Sequence, residues 1–164
     1  MTTSPPMKKM RSPIRAAAVS LCLLAALANC NGETQADESA AAQASDPALV
    51  GDWLLLQINR GGEDIDLDHL EGAVRHIGAT AYSIEPMSGT TIRGDYTVDT
   101  ATAPRSMDEF VANGRFEGGT LKGIYQVVGD RLTISFGAPG EARPTKLVSE
   151  PGTQFTVAVH KRVE

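Results

Sequence analysis

Alternation of apolar and polar residues is the feature of this sequence that most constrains its fold. Residues 92–99, 131–136 and 155–160 each place apolar side chains at every second position. Because successive side chains of a strand point to opposite faces, this period of two predicts strands with one buried and one solvated face. In the last segment the apolar positions are 155, 157 and 159, which predicts that they are buried and that His160 faces solvent.

Turn-forming residues divide the rest of the sequence into similar short segments. Gly129-Asp130 lies between the segments 121–128 and 131–136 and has the two-residue length of a tight hairpin turn. Only residues 66–75 have the apolar spacing of a short helix. Many short antiparallel strands with few helices predict an all-β fold, either a small barrel or a sandwich. The eight predicted strands are residues 50–58, 73–77, 79–85, 92–99, 105–111, 121–128, 131–136 and 155–160.

The N-terminal residues have the pattern of an export signal. Four basic residues precede Ala16–Ala28, an apolar stretch that is too short to cross a membrane as a helix. We therefore predict that residues 1–29 are a cleaved signal peptide. Cys22 would leave with it, so Cys30 would remain as a cysteine without a disulfide partner, which is unusual for an unmodified thiol in an oxidising compartment.

Leu27-Ala28-Asn29-Cys30 resembles the lipobox of bacterial lipoproteins. In those proteins the cysteine is joined to diacylglycerol and the signal is cleaved just before it. Asn29 departs from the pattern, since Gly, Ala or Ser is usual there. The resemblance implies a lipid at Cys30 and attachment to a membrane of the cell envelope. The alternative is ordinary secretion, with cleavage after Ala26-Leu27-Ala28 and an unmodified Cys30.

Charge and composition exclude some partners and set the domain boundaries. Four of the 15 basic residues precede residue 30, so the remaining chain carries 11 basic and 20 acidic residues and a net charge of −9. Such a surface repels phosphate backbones and anionic headgroups, which excludes a nucleic-acid partner. Residues 31–46 lack large apolar side chains and predict a flexible tether or, alternatively, a marginal Ala-rich helix. The folded domain is predicted to span residues 47–164.

Gly51-Asp52-Trp53 is similar to the G-x-W signature that opens the first strand in the lipocalin/calycin superfamily, a group of small antiparallel β-barrels. A basic residue at the end of the last strand packs over that tryptophan in the superfamily, and Lys161-Arg162 stands at this place. A second resemblance covers residues 50–162. It is to an uncharacterised lipocalin-like domain family expanded in planctomycete bacteria, and it implies the barrel fold but no established activity.

The residues that carry this second resemblance are Gly51, Trp53, Gly123-Ile124-Tyr125, Gly129-Asp130-Arg131-Leu132, Ala138-Pro139-Gly140, Arg143-Pro144-Thr145, Pro151-Gly152 and Lys161-Arg162. The chain departs from the family at Ser135, where many members have Cys, and at Leu147, where Phe is common. For Arg143 we expect a structural role, with its guanidinium bonded to loop carbonyls.

Motifs for catalysis, metal binding and phosphate binding are absent from the sequence. His69, His76 and His160 lack metal-ligand spacing, and each is expected at the surface or at a strand edge. The acidic run from Asp64 to Asp68 lacks the glycine and glutamate of an EF-hand loop, which leaves a solvated loop or a weak cation site. We predict a non-enzymatic protein with neither a metal nor a cofactor.

Five aromatic residues on predicted strands suit a small apolar ligand if they line a cavity, and otherwise they fill the barrel. They are Tyr82, Tyr96, Tyr125, Phe136 and Phe155. The sequence therefore leaves two functions open. The first is an envelope binding module for a small apolar ligand, and the second is a structural or protein-interaction lipoprotein without a cavity. An enzyme would require at least two ionisable side chains that converge in a cleft.

Overall fold

Antiparallel strands build the part of the chain that the computed structural model describes, namely residues 45–66, 70 and 72–164. The predicted signal peptide, Cys30 and the predicted tether as far as residue 44 lie outside the described residues. The strands are β1 (Gly51–Arg60), β2 (Glu63–Asp64), β3 (Val74–Ile77), β4 (Ala81–Glu85), β5 (Ile92–Asp99), β6 (Arg105–Val111), β7 (Thr120–Val128), β8 (Arg131–Phe136) and β9 (Thr156–Arg162).

Eight of these strands close into a barrel. Each strand from β3 to β9 pairs with the next, and β9 and β3 both pair with β1. β3 pairs with the first part of β1, and the short β2 pairs with its last two residues, Asn59 and Arg60, on the same side. Closure leaves no free edge among the eight strands, which is how small antiparallel barrels avoid edge-to-edge pairing. The predicted all-β barrel of about eight strands is confirmed, and the sandwich is excluded.

The predicted strands are all present, and their ends lie within two residues of the observed ones. The hairpin at Gly129-Asp130 is confirmed, with Gly129 at a φ of 61°, a backbone conformation that glycine adopts without strain. The possible short helix over residues 66–75 is not found at any described residue of that segment, and Val74 and Arg75 pair with β1 and β4 in β3. Residues 67–69 and 71 of that segment lie outside the described residues.

The predicted orientation of the last strand is wrong. The β8–β9 register places His160 opposite Leu132 and Ala158 opposite Ile134. Residues directly opposite each other share a face, so His160 points into the barrel with the apolar side chains of β8. His160 is 3% exposed, whereas the sequence placed it in solvent.

Val157 and Val159 point outward, yet both are buried. The segment 137–155, which joins β8 to β9 and which we call the strap, covers them from outside with Leu147 and Val148 beside them. Both faces of β9 are therefore covered. An alternating pattern separates the two faces of a strand, but it does not identify the inner one when the outer one is covered as well.

One end of the barrel is closed by the residues that precede β1. Leu49 is fully buried, and its carbonyl oxygen accepts a hydrogen bond from the Trp53 indole at 2.7 Å. The Asp46 carboxylate accepts hydrogen bonds from the Tyr125 hydroxyl at 2.8 Å and from the Arg105 guanidinium at 2.7 Å. These bonds satisfy a carboxylate that is nearly buried. The folded part therefore includes Asp46, which the sequence assigned to the tether.

Arg162 joins this closing segment to the last strand. Its guanidinium carbon lies 4.0 Å from the centroid of the Trp53 ring, and it donates hydrogen bonds to the carbonyl oxygens of Ala48 at 2.7 Å and Val50 at 2.9 Å. A Cβ at Gly51 would lie 2.6 Å from the guanidinium, so the glycine of the G-x-W signature leaves the space that the arginine occupies.

We predict that Arg162→Ala lowers the free energy of unfolding by about 2 kcal/mol, since two charge-assisted hydrogen bonds and the stacking on Trp53 are lost. Lys161→Ala is the control, because Lys161 is the neighbouring exposed basic residue, and we expect a change below about 0.5 kcal/mol. Urea unfolding followed by Trp53 fluorescence measures both variants. Equal losses in the two variants would contradict this account of Arg162.

Candidate functional site

The end of the barrel opposite Asp46 carries a cavity of about 210 Å³, which we call the mouth. The strands β1, β7, β8 and β9 contribute the residues nearest that end, and the β6–β7 loop and the strap contribute the others. Its apolar wall consists of Phe116, Leu121, Phe136 and Ala138, and its polar wall includes Arg60, Arg115, Gln154 and Thr156.

Strand register explains why side chains from β1, β8 and β9 meet at the mouth. Thr156 lies opposite Phe136 on one side and opposite Arg60 on the other. The three residues therefore share the inner face at the same end of the barrel. The Arg60 Nε donates a hydrogen bond to the Thr156 hydroxyl at 2.9 Å, which holds the guanidinium at the rim.

The second arginine of the mouth comes from the loop that connects β6 to β7. The guanidinium carbon of Arg115 lies 5.3 Å from the centroid of the Phe116 ring, within the range of a cation–π contact. Neither Arg60 nor Arg115 forms an ion pair with a carboxylate among the described residues. The mouth therefore combines an apolar wall with two arginines that no described carboxylate pairs.

An ion pair between Arg75 and Glu109 lies inside the barrel. The two side chains are 7% and 2% exposed. Arg75 comes from β3 and Glu109 from β6, and because these strands are not neighbours, the pair crosses the interior. The guanidinium carbon of Arg75 lies 5.1 Å from the centroid of the Tyr82 ring and 5.9 Å from that of Phe136. Phe136 therefore contacts the ion pair and also borders the mouth.

Burial decides the protonation behaviour of this interior cluster. It raises the pKa of the Glu109 carboxyl above its ordinary value, against the opposing effects of the Arg75 charge and of a hydrogen bond with the Tyr82 hydroxyl. Burial and the negative charge of Glu109 also raise the pKa of Tyr82, so the phenol stays protonated and acts as a donor to the carboxylate.

His160 lies in the same interior and is held neutral. Burial, together with the nearby Arg75 charge, lowers its pKa to about 3, although a hydrogen bond to the backbone of Leu132 opposes the shift. Its Nδ1 atom and the Nε atom of Arg75 have no hydrogen-bond partner among the described residues. The sequence expectation of a surface or strand-edge residue is therefore wrong for His160. His76 lies on the outer surface, where its Nδ1 is 2.7 Å from the Asp52 carboxylate, and His69 lies outside the described residues.

The interior cluster was not predicted from the sequence, although the alternation pattern contained a signal for it. Arg75 falls between Ala73 and Ile77, and Glu109 falls between Met107 and Val111. A charged residue at such an inward position needs a partner in the interior, since an unpaired buried charge is very unfavourable. Within the described residues, no group of three or more His, Cys, Asp or Glu side chains is arranged to hold a metal ion.

The three tyrosines predicted to bind a ligand have their hydroxyl groups engaged in the core. Tyr82 bonds to Glu109, and Tyr125 bonds to Asp46 at the closed end. The Tyr96 hydroxyl donates to the carbonyl oxygen of Gly78 at 2.7 Å. All three rings belong to the buried core, which matches the alternative that the aromatic residues fill the barrel.

Of the two predicted phenylalanines, Phe136 borders the mouth. Phe155 is half-buried at the end of the strap, where its carbonyl oxygen accepts a hydrogen bond from the Ser149 hydroxyl at 2.8 Å. Arg115 and Phe116 were not predicted as site residues, because they lie in a glycine-rich loop that has no periodic pattern. Arg60 was missed because the predicted strand ended at residue 58.

Arg143 fastens the strap to the barrel. Its guanidinium donates to the carbonyl oxygens of Met107 at 3.0 Å and Gly123 at 2.7 Å, and it pairs with the Asp108 carboxylate at 2.7 Å. The Arg143 guanidinium therefore bonds carbonyl groups of strands, whereas carbonyl groups of loops were expected from the sequence.

The first carboxylate of the acidic run, that of Asp64, is engaged in hydrogen bonds. The Asp64 carboxylate accepts them from the Gln57 amide at 2.8 Å and from the Asn59 amide at 3.1 Å, and these bonds lower its pKa. Asp68, which would complete a weak cation site, lies outside the described residues.

Comparisons of the chain with family models, with curated proteins and with solved structures gave no match. In the described part of the chain, no helix is both long enough and apolar enough to span a membrane. The function of this protein must therefore be argued from its own sequence and geometry.

We predict that His160 makes stability depend on pH in the mildly acidic range. Its pKa is about 3 in the folded protein and near 6.5 in the unfolded chain, so only the unfolded chain takes up the proton between these values. Stability from this residue is complete above pH 6.5 and is lost as the pH falls. Between pH 7.5 and pH 5 the loss is about 2 kcal/mol.

Chemical unfolding of the wild type and of His160→Gln at both pH values measures this effect. Glu109 and Asp46 are present in both proteins, so the difference between the two profiles reports on His160. We expect the variant to lose less stability on acidification. An NMR titration of the His160 ring should show it neutral at pH 5, and a charged ring at that pH would contradict the assignment.

Proposed function

We propose that this chain is an exported, lipid-anchored envelope protein of the lipocalin-like domain family described above, and that it binds a small apolar ligand at the mouth without converting it chemically. The observation that carries the proposal is the asymmetry of the barrel. One end is closed by buried side chains, and the other has a cavity walled by Phe116, Leu121 and Phe136. Concave apolar sites at barrel mouths are common places for ligands to bind.

The interior limits how deep a ligand can enter. The cavity volume of about 210 Å³ is below the roughly 300–1,000 Å³ of typical ligand pockets. Beneath Phe136 the ion pair of Arg75 and Glu109 occupies the space that an apolar ligand would need. The ligand is therefore small, or only its apolar part enters the mouth.

The position of the chain entry suits an anchored binding protein. The described residues from the end of the predicted tether to β1, Asp46 to Leu49 among them, lie at the closed end. The mouth is thus at the opposite end of the barrel from the point where the tether meets it. The part of the predicted tether that precedes Asp46 would span about 20 Å as a flexible chain. Such a tether can hold the barrel beyond a lipid headgroup layer and leave the mouth accessible.

The lipid anchor is tested by the intact mass of the protein extracted from membranes. We expect a chain that begins at Cys30 and carries acyl groups. Cys30→Ser should remove the acyl mass and release the protein from the membrane fraction. An unmodified chain that begins at Asn29 would contradict lipid attachment and would indicate ordinary secretion.

Ligand binding is tested with N-phenyl-1-naphthylamine, a neutral apolar probe whose fluorescence rises in apolar surroundings. Ala138 lines the mouth, so Ala138→Trp should fill it and weaken binding about tenfold or more. Ala101→Trp places the same side chain in the exposed β5–β6 loop at the closed end and should leave binding unchanged. Equal affinity in both variants, or no binding to the wild type, would favour a structural or protein-interaction lipoprotein.

A further inference from the structure

We propose that the ligand of the mouth is an anionic amphiphile. Its head is a carboxylate or a phosphate monoester bound by Arg60 and Arg115, and its apolar chain packs on Phe116, Leu121 and Phe136. This inference rests on the proposed function and specifies the ligand class of the same site.

Arg60 is positioned at the rim with free donors. It is the last residue of β1 and lies on the inner face, and its Nε bonds the Thr156 hydroxyl. A guanidinium carries five N–H donors in a planar fork, so one such bond leaves both terminal nitrogens available. Glu63 lies opposite Arg60 where β2 pairs with β1, but neither it nor any other described carboxylate forms an ion pair with Arg60. The fork matches the geometry of a carboxylate or a phosphate.

Arg115 brings a second positive charge to the same cavity. Its contact with Phe116 places the guanidinium beside the apolar wall, so a ligand can contact both groups at once. Glu117 follows in the same loop and is exposed, but it forms no ion pair with either arginine.

Among the described residues several cations form no ion pair, Arg131 and Lys161 included, and what distinguishes Arg60 and Arg115 is their place at the apolar mouth. Arg75, Arg105, Arg143 and Lys146 each form an ion pair with a carboxylate. The chain from residue 30 onward has a net charge of −9, so most of its surface repels anions. The mouth is thus a local place where an anion gains two charge-assisted contacts together with an apolar surface.

The interior arginine cannot take the place of the rim arginines. Arg75 is already matched by Glu109, and its side chain is 7% exposed. Phe136 lies between this pair and the mouth. The head of the ligand therefore binds at the rim, and its chain points inward toward Phe136.

The test compares three ligands that share an eight-carbon chain, namely octanoate, octyl phosphate and the neutral 1-octanol. Calorimetric titration of the purified full chain gives the affinities, and amide chemical-shift changes locate the site. We expect at least one anionic ligand to bind about tenfold more tightly than 1-octanol, with an advantage that falls as the salt concentration rises. The stronger of the two identifies the preferred head.

The variant Arg60→Gln with Arg115→Gln should remove this advantage, so that octanoate and octyl phosphate bind no more tightly to it than 1-octanol does. The matched control is Arg131→Gln with Lys161→Gln, which removes two exposed positive charges that lie opposite each other at the closed end. This control should keep the advantage. Circular dichroism and urea unfolding establish that both double variants are folded.

Two further outcomes separate this inference from the proposed function. If all three ligands bind equally, or if the control loses the advantage as well, the anionic preference of the rim is overturned while the apolar site stands. If neither these ligands nor the naphthylamine probe binds, both proposals fail together.

Discussion

The ion pair between Arg75 and Glu109 is the constraint on which the interior of this barrel depends. It links two strands that are not neighbours, and both side chains are almost fully buried. Loss of one partner would leave an uncompensated charge, which typically costs about 3–5 kcal/mol, a large fraction of the stability of a small domain. Tyr82 and His160 respond to the pair, the former as a hydrogen-bond donor and the latter by remaining neutral. A barrel with this interior has little room for an apolar ligand at its centre.

The two ends of the barrel are built by different parts of the chain, and this explains their different roles. At the closed end, Trp53 and Arg162 belong to paired strands, and with Asp46 they form a continuous set of buried or partly buried bonds. At the mouth, Arg115 and Phe116 come from a loop, and the strap supplies further residues. Loops on a rigid scaffold are common locations for binding residues, because they vary without disturbing the strands. The closed end therefore supports stability, and the proposed binding site lies at the mouth.

The strands could be predicted from the sequence because three of them alternate apolar and polar residues and turn residues separate the others. Gly129-Asp130 predicted the hairpin because its glycine permits the tight turn. The inner face of β9 could not be predicted from the sequence. The strap covers Val157 and Val159 on the outer face, so the outer face is apolar as well. The mouth could not be predicted from the sequence either. It depends on how loops return over the strand ends, and no local pattern encodes that arrangement. The tyrosines were predicted as candidate ligand contacts from their strand positions alone, whereas their hydroxyl partners are distant in sequence.

The arginines of this protein show how position in a barrel determines the function of one chemical group. In the interior, Arg75 requires a carboxylate from the same chain, because water is excluded and its charge would otherwise be unpaired. Arg143 and Arg162 bond to backbone carbonyls and serve as structural links between segments. At the rim, Arg60 is anchored by a single hydroxyl and remains in contact with solvent, so no internal carboxylate is needed. A guanidinium held in this way can take its counterion from solution, which is the physical basis of the anion site proposed at this strand end.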